Sequence, residues 1–96
     1  MKLKITAFDL GRKSFQNSYR SLSDEIKAAF KAVYPDLLKD PQPKKLRLEK
    51  LSGHKNPGIY TIHITANHSH KLSFELVGTI AEFRRVGTHK EIDRTP

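Results

Sequence analysis

The sequence contains no cysteine, so it can form neither a disulfide bond nor a thiolate metal site. It also lacks long hydrophobic stretches, since no uninterrupted apolar run exceeds three residues, whereas a membrane-spanning helix needs about 20. The amino-terminal segment MKLKITAFDLG alternates charged and apolar residues, which is not the pattern of a secretory signal peptide. We therefore expect a cytoplasmic protein.

Aromatic residues are few, at 8% of the chain with no tryptophan, so free single-stranded nucleic acid binding by base stacking has little support. Positive charge, by contrast, is abundant. Lys and Arg number 18 against 10 Asp and Glu, which gives a formal net charge of +8. This charge predicts a partner that is rich in phosphate or acidic. A length of 96 residues predicts one domain over 1–96.

The first part of the chain reads as one strand followed by two helices. Leu3, Ile5 and Ala7 alternate with polar residues, which predicts a strand with one buried face. Apolar residues at helical spacing then predict an amphipathic helix over 12–22 and a second helix over 24–37, packed together as a hairpin. Pro35 lies inside the second pattern and predicts a break near Tyr34.

The second part of the chain reads as strands and tight turns. β-branched and aromatic residues predict strands over 46–49, 59–65, 71–77 and 79–86. Asn56-Pro57-Gly58 and Gly78-Thr79 have the composition of turns, the latter of a two-residue hairpin with Gly first. The predicted fold class is therefore α+β, with an amino-terminal strand and a helical hairpin packed on one face of a twisted antiparallel sheet.

Strand alternation predicts which strand side chains point away from the helices and line the open face of this sheet. In the last strand, Ile80 and Phe83 have opposite parity, which indicates a β-bulge. The other strands direct a mixed set of polar residues outward, namely Arg47, Glu49, Thr61, His63, Lys71, Ser73 and Glu75.

Such a face can cleave RNA without a metal, because Glu or His can move protons while Lys and Arg hold phosphate charge. The solvent face of any antiparallel sheet is also polar, so parity alone leaves both interpretations open.

Three segments resemble successive blocks of the RelE/ParE toxin superfamily, and most closely the RelE, YoeB and YafQ mRNA interferases. They are DPQPKKLRLEKLSG, PGIYTIHITANHSHKLSFEL and RRVGTHKEIDR. The resemblance implies a helical hairpin packed against a twisted sheet. It also implies an endoribonuclease that cleaves mRNA in the ribosomal decoding site by metal-independent acid and base chemistry, and that is inhibited by a cognate antitoxin.

The resemblance also implies roles for individual residues. Glu49 matches the general-base glutamate of YoeB-like toxins, and His63 matches a catalytic histidine of YafQ-like toxins. Lys71 replaces the arginine usual at its position and keeps the charge without the planar fork. His89 matches the terminal histidine, a candidate general acid. Asn67 stands where YafQ-like toxins have an aspartate.

Six basic residues form a predicted rim for RNA or ribosomal phosphate, namely Lys44, Lys45, Arg47, Arg84, Arg85 and Lys90. The expected partners are therefore an antitoxin protein, mRNA and the ribosome, with no membrane and no cofactor. His68 and His70 have a spacing that two metal-binding imidazoles can use, but no nearby ligands complete a shell, so we expect no metal site. Two other functions stay open: a ParE-like gyrase inhibitor and a catalytically inactive binding module of the same fold.

Overall fold

The computed structural model describes residues 2–55 and 58–96. Among these residues, no helix combines the length and the apolar character needed to cross a membrane. The elements in the described part of the chain are, in order, β1 (Ala7–Asp9), α1 (Lys13–Arg20), α2 (Asp24–Val33), the 3₁₀ turns Tyr34–Leu38 and Lys44–Leu46, β2 (Glu49–Lys55), β3 (Gly58–His63), β4 (His70–Val77), β5 (Ile80–Thr88) and α3 (His89–Arg94).

The strands form one sheet in the order β1-β5-β4-β3-β2. Strands β2 to β5 pair antiparallel with their neighbours, as predicted. β1 instead pairs parallel to β5, so the sheet is mixed. Alternation identifies a strand but does not fix its direction relative to a partner that lies far along the chain. The α+β class with helices packed on the sheet is confirmed.

The helical hairpin follows its sequence signals closely. Ser23 caps α2 by accepting a hydrogen bond from the backbone of Ile26 at 3.3 Å. α2 ends at Val33, and the chain continues as a 3₁₀ turn that contains Pro35. The predicted break near Tyr34 is therefore confirmed, because proline cannot donate the hydrogen bond that would extend the α-helix.

An aromatic cluster fills the space between the helices and the sheet. The ring of Phe83, from β5, lies 5.4 Å from that of Phe15 of α1 and 5.9 Å from that of Phe30 of α2, measured between centroids. All three side chains are buried. Burying each one stabilises the fold by about 1.5–3 kcal/mol, so the cluster fixes which face of the sheet the helices cover.

Two predicted strands are shifted in the structure. β1 begins at Ala7 rather than Leu3, because the segment before it bonds to a side chain: Gln42 accepts from the Leu3 amide at 3.0 Å and donates to the Leu3 carbonyl at 2.6 Å. β2 begins at Glu49, after a 3₁₀ turn and the left-handed residue Arg47 (φ 48°), so a strand over 46–49 is wrong.

Both turn predictions concern strand connections. The β4–β5 hairpin is confirmed, since Val77 pairs with Ile80 across Gly78, which has a φ of 64°. The predicted turn at Asn56-Pro57-Gly58 lies largely outside the described residues.

The predicted bulge in the last strand is also present. Ser73 pairs with Arg85 but Phe74 pairs with Phe83, so β5 contains one extra residue, Arg84, at this point. The bulge lies after Phe83 and lets both Phe83 and Val86 point inward, and it does not explain the opposite parity of Ile80 and Phe83. Ile80 instead faces outward and is 40% exposed, whereas Ala81 and Phe83 are buried.

The helix α3 was not predicted, and the prediction that one face of the sheet is fully open is wrong. α3 begins with a capping box in which Thr88 and Glu91 bond each other's backbone amides, and it buries Ile92. Ser73 donates to the carbonyl of Pro96, beyond the helix, at 3.4 Å. The carboxy-terminal segment thus covers part of the face predicted to be exposed. Three residues expected to be outward and exposed are buried, namely Thr61, Lys71 and Ser73.

Candidate active site

Five elements line an open cavity of about 880 Å³ beside the face that α3 partly covers, namely the 3₁₀ turn Lys44–Leu46, β2, β3, β4 and α3. Strand pairing builds it, because His63 of β3 lies directly opposite Lys71 of β4, and Glu49 of β2 lies opposite Thr61 of β3. The lining residues are Lys44, Arg47, Leu48, Glu49, Leu51, Ser52, His63, Lys71, His89 and Asp93. The structure therefore brings together all four residues predicted to be catalytic.

Lys71 is the buried cation of this cavity, with only 3% of its side chain exposed. Its Nζ donates to Oδ1 of Asp93 at 2.8 Å, and Oε1 of Glu49 lies 3.8 Å away. An ammonium withdrawn from water is costly unless an anion accompanies it. These two carboxylates offset that cost and hold the ammonium at the wall of the cavity.

Asp93 connects Lys71 to His89. Its second oxygen, Oδ2, lies 2.8 Å from Nδ1 of His89, one helical turn earlier on α3. The hydrogen bond from Lys71, followed by the charges of Lys71 and His89, lowers the pKa of Asp93 and outweighs the opposing effect of burial. Asp93 is therefore an ionised bridge, and Nε2 remains the free nitrogen of the His89 ring.

His63 lies beside His89, with 5.5 Å between the ring centroids. Burial lowers the pKa of His63, and the charges of Lys71, His68 and other nearby cations lower it further. A histidine with a lowered pKa is neutral near pH 7 and can accept a proton. His63 thus has the protonation state that a general base requires.

A second histidine fixes the orientation of His63. Nδ1 of His68 lies 2.8 Å from Nδ1 of His63, which is hydrogen-bond distance. His68 reaches this position from the β3–β4 connection, where it adopts a left-handed conformation with a φ of 60°. When His63 donates the shared proton, its Nε2 carries a lone pair available to a substrate hydroxyl.

The predicted basic rim is divided by the fold. Lys44 and Arg47 line the cavity itself. Lys45 is exposed and 3.1 Å from Asp36, a carboxyl whose pKa is lowered by hydrogen bonds from Lys39 and Lys45. Only part of the rim therefore surrounds the candidate catalytic groups.

The remaining three rim residues lie elsewhere in the fold. Arg84, in the bulge, pairs with Glu75 and donates to the carbonyl of Pro96 at 3.2 Å. Arg85 lines a separate groove beside α1. Lys90 is exposed on α3. A role for these three in RNA binding stays a prediction.

The fold has clear counterparts among solved structures. A chain of the RelB-RelE antitoxin–toxin complex from Methanococcus jannaschii matches with a TM-score of 0.66 and 24% identity, over 95% of this chain and 100% of that one. A copper-bound mutant toxin from Helicobacter pylori matches with a TM-score of 0.58 and 19% identity, over 94% of this chain and 98% of that one.

The chain has the fold of RelE-like toxins. A conserved hypothetical protein from Helicobacter pylori, solved in solution, shares the RelE-like fold with a TM-score of 0.57 and 20% identity, again over 94% and 98% of the two chains. No protein-family model matches the sequence, and comparison with curated proteins finds no match either.

Two residues in or beside this cavity were not identified as site residues from the sequence. Asp93 belongs to a helix that was not predicted, although Thr88 and Glu91 have the spacing of a capping box and His89 and Asp93 the spacing of one helical turn. His68 was assigned to a loop, and no sequence signal indicates that this loop folds back onto His63. Among residues 2–55 and 58–96, no group of three or more histidine, aspartate or glutamate side chains is arranged to hold a metal ion.

Proposed function

We propose that this protein is the toxin of a type II toxin–antitoxin system and an endoribonuclease that cleaves mRNA on the ribosome. The observation that supports the proposal most strongly is the convergence of Glu49, His63, Lys71 and His89 on one cavity of a RelE-like fold. The four residues come from separate elements, so their meeting is a property of the fold rather than of local sequence.

The proposed reaction is attack by a ribose 2′-hydroxyl on the neighbouring phosphate. Nε2 of His63 removes the hydroxyl proton, the 2′-oxygen bonds to phosphorus, and the bond to the 5′-oxygen breaks as that oxygen takes a proton from Nε2 of His89. The products are a 2′,3′-cyclic phosphate and a 5′-hydroxyl end. His63 suits the base role better than Glu49 because its pKa is lowered and its ring makes no ion pair with Lys71.

Positive charge in the cavity stabilises the transition state of this reaction. The ammonium of Lys71 has three N–H donors, and Asp93 accepts one of them. The others can bond the phosphate oxygens as their negative charge grows, and they are held in place before the reaction begins. Arg47 and Lys44, at the same cavity, then bind the flanking phosphates.

The antitoxin partner is proposed from charge and from similarity. The net charge of +8 favours an acidic or amphipathic segment that covers the basic cavity. A structural neighbour was solved as an antitoxin–toxin complex, which supports a partner of this kind. We further propose that the domain over 1–96 acts in the cytoplasm.

The test is to map mRNA ends after the protein is induced in a bacterial host. We expect cuts within translated frames only, which disappear with His63→Ala and His89→Ala variants that remain folded. Cleavage that both variants retain would reject the assigned residues. Inhibition of DNA gyrase without RNA cleavage would instead support the ParE-like alternative.

A further inference from the structure

Asp93 lies between Lys71 and His89, and the proposed reaction gives it no chemical step of its own. Its carboxylate bridges the two groups that act on opposite parts of the scissile phosphodiester, with Oδ2 at 2.8 Å from His89 and Oδ1 at 2.8 Å from Lys71. Each oxygen serves a different group. Lys71 of β4 and His89 of α3 are therefore coupled through one side chain rather than only through the backbone.

We propose that Asp93 is the positioning residue of this site, which sets the tautomer of His89 and the place of the Lys71 ammonium together. The inference rests on the proposed function. A carboxylate beside Nδ1 keeps a proton on that nitrogen, because Nδ1–H donates and the carboxylate only accepts. The proton that moves to the departing 5′-oxygen is then the one on Nε2, and His89 ends the step neutral with Nδ1–H still bonded to Asp93.

The same carboxylate determines where the ammonium of Lys71 stands. Glu49 is 3.8 Å away, beyond hydrogen-bond distance, so Asp93 is its hydrogen-bonded partner among the described residues. Because one rigid group holds both the proton donor and the phosphate-binding cation, the distance between them is fixed before RNA enters. Preorganisation of this kind lowers the reorganisation that the reaction requires.

Local structure holds Asp93 firmly enough for this role. α3 is fixed at its start by the Thr88 and Glu91 capping box, and at its centre by Ile92, which is 2% exposed. Asp93 follows Ile92 directly, so the buried side chain anchors the backbone from which the carboxylate projects. A plain surface ion pair would lack both the buried cation and this anchor.

The first measurement uses the unmodified protein, by ¹⁵N nuclear magnetic resonance of its histidine rings above the pH at which they are protonated. We expect neutral His89 to carry its proton on Nδ1. In Asp93→Asn, the amide can donate as well as accept, so we expect the Nε2–H tautomer to become populated. A His89 ring with its proton on Nε2 in the unmodified protein would overturn the proposal, whether or not the protein cleaves RNA.

The second measurement is cleavage of ribosome-bound mRNA by Asp93→Asn. We expect kcat to fall about 10- to 100-fold, by analogy with partners that orient metal-bound histidines, with KM little changed. Asp93→Glu should recover part of the loss because it restores a carboxylate. Arg94→Gln, on the next residue of α3, is the matched control and should leave kcat and the tautomer unchanged.

Three outcomes separate the possibilities. If Glu91→Gln, which weakens the start of α3, lowers kcat as much as Asp93→Asn and shifts the tautomer equally, Asp93 merely maintains the helix and the proposal fails. If Asp93→Asn cleaves as fast as the unmodified protein, the proposal also fails. If the unmodified protein cleaves no RNA while His89 has its proton on Nδ1, the proposed function fails but the geometric assignment of Asp93 stands.

Discussion

Replacement of Lys71 by methionine separates a functional lysine from a structural one. The side chain is 3% exposed, and methionine can occupy the space of its apolar stem without carrying a charge. The carboxylates left behind, on Asp93 and Glu49, are 44% and 58% exposed, and water can hydrate both. Removing one partner of a buried ion pair is costly when the other charge stays buried and unpaired, but both of these carboxylates remain in contact with water. We therefore expect the free energy of unfolding to change by less than about 1 kcal/mol.

The effect of this substitution on activity should be much larger than its effect on stability. Without the ammonium, the phosphate loses a preorganised donor in the transition state, a loss worth about 2.7–4 kcal/mol or 10²–10³ in kcat. Lys71→Arg should retain most of the cleavage, because it keeps the cation near Asp93. The ratio of kcat for Lys71→Arg to kcat for Lys71→Met thus separates the effect of the charge from the effect of side-chain volume.

The assay pairs urea unfolding, followed by circular dichroism, with single-turnover cleavage of mRNA on purified ribosomes. A loss of more than about 3 kcal/mol in Lys71→Met would show that the ammonium stabilises the fold, as expected when one partner of a buried pair is removed. Undiminished cleavage would refute its role at the phosphate.

Three further predictions concern the surroundings of Lys71. Burial lowers the pKa of His63 in the folded protein, so the unfolded chain takes up this proton first as the pH falls below about 6.5. The free energy of unfolding should therefore fall as the pH is lowered through that range. Urea unfolding at each pH should show a weaker pH dependence for His63→Gln. Arg47→Ala should raise the KM for ribosome-bound mRNA more than Arg85→Ala does, because Arg47 lines the cavity and Arg85 lies in a separate groove. Thr88→Ala should reduce the free energy of unfolding by about 0.5–2 kcal/mol through loss of the α3 cap, and an unchanged value would contradict the capping assignment.

Strand alternation predicted the buried face of the sheet well. Apolar residues such as Leu72 and Phe74 must be shielded from water, and their spacing of two residues shows that they share one face of the strand. It could not predict that β1 would pair parallel to β5, since direction depends on how the helices return the chain. It also could not reveal α3, a helix of six residues with one buried side chain, Ile92, because so short an element has almost no periodicity.

The candidate site was predictable to the same extent as the sheet. His63 and Lys71 could be placed on one face because they belong to strands of regular alternation, and the structure shows them directly opposite each other. Burial of Lys71 could not be predicted, since the carboxylate that accompanies it comes from α3. The different surroundings of Arg84 and Arg85 were likewise hidden, because a bulge changes parity at a point that tertiary packing selects.

In the proposed reaction, the side chains of this cavity promote attack by a ribose 2′-hydroxyl on the adjacent phosphate. The most direct measurement uses ribosome-bound mRNA in which a single 2′-deoxynucleotide replaces the ribonucleotide 5′ to the mapped cut. We predict that cleavage at that bond is abolished, while the unsubstituted message yields a 5′-hydroxyl product end. Continued cleavage at the deoxy position, or a product bearing a 5′-phosphate, would rule out attack by the 2′-hydroxyl.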